Sequence, residues 1–117
     1  MQDAALRIPT GQFRRKYPRR NFRREVGVLL LGNYVVSTAI EIGEGGLSLT
    51  SKTAVAVDLD LVLSFQIPSG GFVSVRGEIK TCRQNPEKTG YILGFAFRNL
   101  VFERKREIRS YVSAQGF

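Results

Sequence analysis

The stretch EVGVLLLGNYVVSTAIEIGEGGLSLT, residues 25–50, reads as three strands joined by two turns. Val26, Val28 and Leu30 alternate with Glu25, Gly27 and Leu29, the two-residue period of a strand whose second face is also partly apolar. Gly32-Asn33 is a turn signal, so the run Tyr34 to Ile42 is expected to return antiparallel to the first. Gly43-Glu44-Gly45-Gly46 breaks the pattern, and Leu47-Ser48-Leu49-Thr50 resumes it as a third, short strand.

The same alternation continues downstream. Leu59, Leu61, Leu63 and Phe65 alternate with Asp60, Val62 and Ser64; Pro68-Ser69-Gly70-Gly71 turns the chain. Phe72 to Arg83 alternates again, Asn85 to Gly90 forms a loop, and Tyr91 to Phe97 closes the series. Phe65, Phe72, Phe95 and Phe97 are expected in the core or at its rim. The last segment changes period. Phe102, Ile108, Tyr111 and Val112 share a helix face among charged residues, which predicts a helix over Glu103–Ser113. Glu103 and Glu107 stand ready for i,i+4 pairing with its arginines. Six short strands with tight turns and one helix predict an all-β fold: a six-stranded antiparallel β-barrel with a C-terminal α-helix.

Upstream of residue 25 the chain is dominated by cations. Residues 1–24 carry eight Arg and Lys against Asp3, whereas residues 25–117 carry ten basic and nine acidic groups. Nearly all of the net charge of +8 therefore resides in one short segment. Cations this dense repel one another until an anion neutralises them, so a polyanionic partner is expected. A solvated tail, nucleic acid and an anionic membrane all fit the charge alone. Pro18 disfavours helix at Tyr17 and makes this segment a turn or extended loop. Tyr17 is placed either to stack on a base or to pack on the barrel, and Arg20, Arg23 and Arg24 either to meet a ligand or to be solvated or paired with Glu25.

Composition removes several chemistries. The chain of 117 residues has no His, so histidine acid–base catalysis and histidine metal ligation are excluded. One cysteine, Cys82, permits neither a Cys-cluster zinc site nor an internal disulfide, and without a His to activate it reads as a small strand residue. No paired carboxylates and no phosphate-binding P-loop are recognisable, so a non-enzyme is expected. Apolar runs reach only four residues, as at Val28–Leu31, against about 20 for a bilayer span. The chain is expected to be complete, soluble and cytoplasmic, with residues 1–12 a flexible N-terminal segment and 13–117 one domain.

Two motifs stand above this background: Arg15-Lys16-Tyr17-Pro18-Arg19, an Arg-x-x-x-Arg just before the first strand, and Glu41-Ile42-Gly43-Glu44-Gly45-Gly46 between the second and third. In this order, on this strand pattern, they resemble the PilZ domain family over roughly residues 13–113. Leu47-Ser48-Leu49, Gly94-Phe95-Ala96-Phe97 and the Arg-rich terminal helix look similar too. Members of that family are six-stranded barrels that bind the bacterial second messenger cyclic di-GMP. Their first motif is Arg-x-x-x-Arg and their second (Asp/Asn)-x-Ser-x-x-Gly. Here Arg15 and Arg19 match the first, with Arg14 beside them, while Glu41, Gly43 and Gly46 occupy the second. Glu41 replaces Asp/Asn and Gly43 replaces Ser, which removes one hydroxyl bond worth on the order of 1 kcal/mol.

The resemblance implies a ligand site made of Arg14, Arg15, Arg19, Glu41, Gly43 and Gly46. The arginines would meet phosphate or the guanine O6/N7 edge, Glu41 would accept from a guanine N–H, and the glycines would admit the backbone. Arg14, preceding the motif, favours two intercalated ligands over one. Ordering the Arg-rich loop on the ligand would signal through an unidentified protein partner in motility or biofilm control. A degenerate domain that has lost the nucleotide and acts as an adaptor in motility or type IV pilus function is the alternative. Sequence-independent binding of nucleic acid is disfavoured, since the cationic segment offers only Phe13, Tyr17 and Phe22 for base stacking.

Overall fold

The structure, a computed structural model, describes residues 18–114. The expectations for residues 1–12, and for Arg14, Arg15 and Tyr17, lie outside the described residues. Seven strands and one helix follow in order: β1 (Arg19–Asn21), β2 (Glu25–Leu30), β3 (Asn33–Gly43), β4 (Gly46–Ser51), β5 (Asp60–Gln66), β6 (Phe72–Gln84), β7 (Tyr91–Phe97) and α1 (Phe102–Ser113). All strand pairings are antiparallel. The order β3-β2-β5-β6-β7-β4 closes on itself through β3–β4, giving the six-stranded barrel expected. β1 is an additional short strand on β3.

The alternation works as it should. Inward residues Val26, Val28, Leu61, Leu63, Phe65, Val73, Val75, Leu93 and Phe95 are buried, and their neighbours in sequence are not uniformly so. Each fully buried Leu, Val or Phe contributes roughly 1.5–3 kcal/mol, so the barrel interior is the main source of the fold's stability. Cys82 lies half-buried on β6 against this core. Ile108 and Val112 of α1 are buried, and α1 packs beside β3.

Several local expectations need correction. The β2–β3 turn is Leu31-Gly32, not Gly32-Asn33. Both residues have positive φ, 52° and 82°, the pairing required for a tight two-residue hairpin that matches strand twist. Phe102 does not join the buried face of α1; it stands 64% exposed at the first turn. Phe72 is likewise exposed, at the start of β6. The helix carboxylates do not pair at i,i+4: Glu107 bonds Arg104 and accepts from the Gly71 N–H at 2.9 Å, and Glu103 lies 3.7 Å from the same Arg104.

Candidate functional site

β3 is eleven residues long and its edges are shared out. Residues 33–38 pair with β2, and residues 41–43 pair on that same side with β1, in the register Arg19↔Gly43, Arg20↔Ile42, Asn21↔Glu41. β1 is extended because β3 offers it a ladder. What fixes β1 against the barrel is Phe22. It is fully buried, in edge-to-face contact with Phe65 and Tyr111 at 5.8 and 5.9 Å between centroids, and its N–H donates to the Ile40 carbonyl at 2.7 Å.

The two arginines of β1 therefore go separate ways. Arg20 turns to α1: its Nη1 donates to the Tyr111 carbonyl at 2.8 Å and its guanidinium lies 4.0 Å from the centre of the Tyr111 ring. The Tyr111 hydroxyl donates back to the Asn21 carbonyl at 3.1 Å. Arg19 turns to the barrel surface, where Nη1 comes within 3.9 Å of Glu41 Oε1; both side chains are about one-third exposed. Arg23 and Arg24 are exposed, and neither pairs with Glu25 among the described residues.

Beside Arg19 and Glu41 lies a cleft of about 220 Å³. Its floor is built from small residues in cross-strand register, Ser48↔Gly94↔Thr81 and Gly46↔Ala96. A side chain at Gly46 would run into the Phe95 carbonyl, so glycine is what lets β4 and β7 close together there. The opposite rim carries Lys80 and Arg83 of β6. Arg19 and Glu41 thus face two further cations across a flat, small-residue floor.

Gly43 is narrower than the motif comparison implies. A Cβ on Gly43 would stand 2.8 Å from the Pro18 carbonyl oxygen and 3.3 Å from Arg19 Cγ. The backbone leading into β1 occupies the space a serine would need. The adjoining turn is held to the helix: Arg109 Nε and Nη2 donate to the two carboxylate oxygens of Glu44 at 2.9 and 3.0 Å. Those hydrogen bonds draw the Glu44 pKa below its ordinary 4.5, with burial opposing and the charges of Arg109 and Lys105 assisting.

A family model for the PilZ domain matches residues 13–114. The chain belongs to the PilZ domain family. Solved structures share the fold. Inhibitor of motility MotI/DgrA of Bacillus subtilis aligns with TM-score 0.79 at 12% identity, covering 93% of this chain and 52% of that one. The PilZ domain of Escherichia coli YcgR, solved with c-di-GMP, aligns at 0.67 and 14% identity over 86% and 90% of the two chains. PlzA of Borreliella burgdorferi, in complex with c-di-GMP, aligns at 0.65 and 19% identity over 94% and 44%. This chain therefore spans about half the length of MotI/DgrA and less than half of PlzA. No curated protein matches it in sequence.

Of the six residues expected at the PilZ ligand site, the structure describes four, and it gathers Arg19, Glu41, Gly43 and Gly46 around the junction of β1, β3 and β4. Arg14 and Arg15 lie outside the described residues. Sequence reasoning missed Ser48, Lys80, Thr81 and Arg83. Ser48 sat in view, opposite Glu41 in the ladder; the three β6 residues reach the cleft only through the β6–β7–β4 register.

Proposed function

We propose that this PilZ domain is a receptor for cyclic di-GMP, bound over the cleft between Arg19–Glu41 and Lys80–Arg83. One observation carries the reading: the register of β1 on β3 puts the last arginine of the first motif, Arg19, within 3.9 Å of the first residue of the second, Glu41. The ligand is a dianion with two guanines. Arg19 offers a planar fork to phosphate or to a guanine O6/N7 edge, Glu41 accepts from a guanine N–H, and Lys80 and Arg83 supply positive charge to the far side. The small-residue floor lets a planar base lie close. Arg14 and Arg15 join the site from the residues before Pro18. That PlzA and YcgR are solved with c-di-GMP supports the choice of nucleotide. Binding then reorganises the Arg-rich segment and signals by protein contact in the bacterial cytoplasm, and the likeness to an inhibitor of motility favours motility as the output.

A second reading has one specific observation behind it. The Pro18 carbonyl stands where the motif's serine would be, which fits a barrel that has given up the nucleotide and serves as an adaptor. Calorimetric titration with cyclic di-GMP, with GTP as control, separates the two. The receptor reading expects saturable, selective binding that weakens about tenfold or more in Arg15→Ala and Arg19→Ala, as loss of a charged hydrogen bond requires. Unchanged affinity in both variants would remove the site. No heat and no shift in melting temperature would favour the adaptor.

A further inference from the structure

We propose that the groove between α1 and the β5–β6 turn is a docking site for an extended, acidic segment of a partner protein. The groove holds about 600 Å³. Arg106 of α1 stands on one wall, Arg20 of β1 and Arg24 just beyond it on another, and the turn at Pro68-Ser69 closes the third. Other arginines of the barrel and helix are neutralised: Arg98 by Asp60, Arg104 by Glu107 and Arg109 by Glu44. None of the three in the groove forms an ion pair with a carboxylate among the described residues. Glu107 also lines the groove, but it is taken up by Arg104 and by the Gly71 N–H at 2.9 Å.

These cations are held in place. Arg20 is pinned by the Tyr111 carbonyl and ring, which engage one of its five N–H donors and leave the rest for a ligand. That same bond satisfies a carbonyl of the last helical turn and offsets the negative end of the helix dipole. Arg24 stands on a backbone bonded through both its groups: its N–H donates to the Phe22 carbonyl at 2.9 Å, and its carbonyl accepts from the Ala39 N–H at 2.8 Å. The Arg106 guanidinium lies 5.6 Å from the centre of the Phe102 ring. On the far wall the Gly70 N–H donates to the Ile67 carbonyl at 2.8 Å, and the Gly71–Glu107 bond ties the turn to the helix. Little ordering is left to oppose binding.

Shape and chemistry select the occupant. Arg106, Ser110 and Ala114 follow at i, i+4 and i+8 along one stripe of α1, about 12 Å of helix. That length exceeds a single carboxylate or phosphate and matches about four residues of extended chain. Three guanidinium groups call for carboxylates, and the serine hydroxyls at 69 and 110 suit the backbone between them. A nucleic acid strand fits less well. The groove's one aromatic side chain, Tyr111, already carries the Arg20 guanidinium on its ring and offers a base no open stacking platform. The site is separate from the nucleotide cleft, because Arg19 and Arg20 leave β1 in opposite directions. Its test is run without nucleotide, so its failure leaves the receptor reading untouched.

Amide NMR of the isotope-labelled full chain, titrated with a hexaglutamate peptide, locates binding residue by residue. Salt near 0.15 M limits the reach of exposed charges to about 8 Å. The expected result is saturable shifts at Ser69, Gly70, Ser110 and Ala114, absent with hexaglutamine. Arg24→Gln and Arg106→Gln replace exposed side chains and are expected each to weaken binding at these amides about tenfold. Arg23→Gln removes the same charge from an exposed neighbour outside the groove and is expected to change it less than about twofold. No saturable shift at these amides would overturn the proposal. Equal weakening in all three variants would overturn it by reducing binding to a diffuse field. A thymidine hexanucleotide that moves the same amides at lower concentration than hexaglutamate would overturn it in favour of nucleic acid.

Discussion

Restoring the serine of the PilZ motif should harm this protein. By sequence alone, Gly43→Ser adds a hydroxyl that gains on the order of 1 kcal/mol against a bound nucleotide. The geometry opposes it. The new Cβ would lie 2.8 Å from the Pro18 carbonyl oxygen, where ordinary contact begins near 3.4 Å, so the backbone at Pro18 must retreat by roughly 0.6 Å. That backbone is not free to yield. Phe22 is fully buried one residue beyond β1's end, its N–H is bonded to the Ile40 carbonyl, and Arg20 is bonded to the Tyr111 carbonyl. Overpacking against a fixed neighbour costs about 1–3 kcal/mol, which in a domain of this size lowers the melting temperature by about 4 °C or more. Thermal unfolding of Gly43→Ser beside the parent, followed by calorimetry with cyclic di-GMP, measures both sides. The expected outcome is a lower melting temperature with no gain in affinity. An unchanged melting temperature with about fivefold tighter binding would show that Pro18 gives way and would refute the reasoning.

Two further predictions concern the helix. Arg20→Met keeps the stem but removes the guanidinium from the Tyr111 carbonyl and ring, so urea titration should show a loss of about 1–2 kcal/mol while nucleotide affinity stays unchanged, because Arg20 faces α1 and not the cleft. Glu44 has its folded-state pKa drawn down by Arg109, so its ion pair stabilises the fold above the ordinary value of 4.5 and that stabilisation is lost as pH falls through the depressed value. Asp60, bonded to Arg98, and Glu107, bonded to the Gly71 N–H and Arg104, shift the same way. Melting curves between about pH 5 and 3 should therefore fall less steeply in Arg109→Met than in the parent, by the share that belongs to Glu44.

The barrel was legible because its strands alternate so plainly that one face had to be buried: Leu61, Leu63 and Phe65, or Val73 and Val75, admit no other reading. β1 was not. RRNFRR offers one apolar residue among charges, and nothing local tells that Phe22 is driven into the core while the arginines around it stay at the surface. Phe102 misled in the opposite sense, since it shares the spacing of Ile108 and Val112 but lies in the first turn, at the end of the packed interface. In the cleft, Arg19, Glu41, Gly43 and Gly46 were legible as motif residues. Lys80, Thr81 and Arg83 were not, because no motif marks them. They reach the cleft through pairings such as Thr81↔Gly94 and Gly94↔Ser48, which join residues far apart in the chain.

The placement of β1 also constrains how a ligand at the cleft could be felt elsewhere. Adjacent residues of a strand point to opposite sides. Arg19 addresses Glu41 and the cleft, Arg20 addresses Tyr111 on α1, and Phe22 sits between barrel and helix against both Phe65 and Tyr111. A shift of β1 along β3 cannot change Arg19 alone, because the same three-residue strand carries the Arg20 bond and receives the Tyr111 hydroxyl at Asn21. On the receptor reading, anion binding at Arg19 therefore bears on the far end of α1 through side chains already in contact, without a rearrangement of the barrel. Arg20→Met separates the two consequences: it leaves the cleft intact and cuts the connection, so the nucleotide should still bind Arg20→Met while any nucleotide-dependent change in amide exchange along Ser110–Ser113 is lost. Persistence of that change in Arg20→Met would mean that the signal leaves the cleft by the Glu44–Arg109 bridge instead.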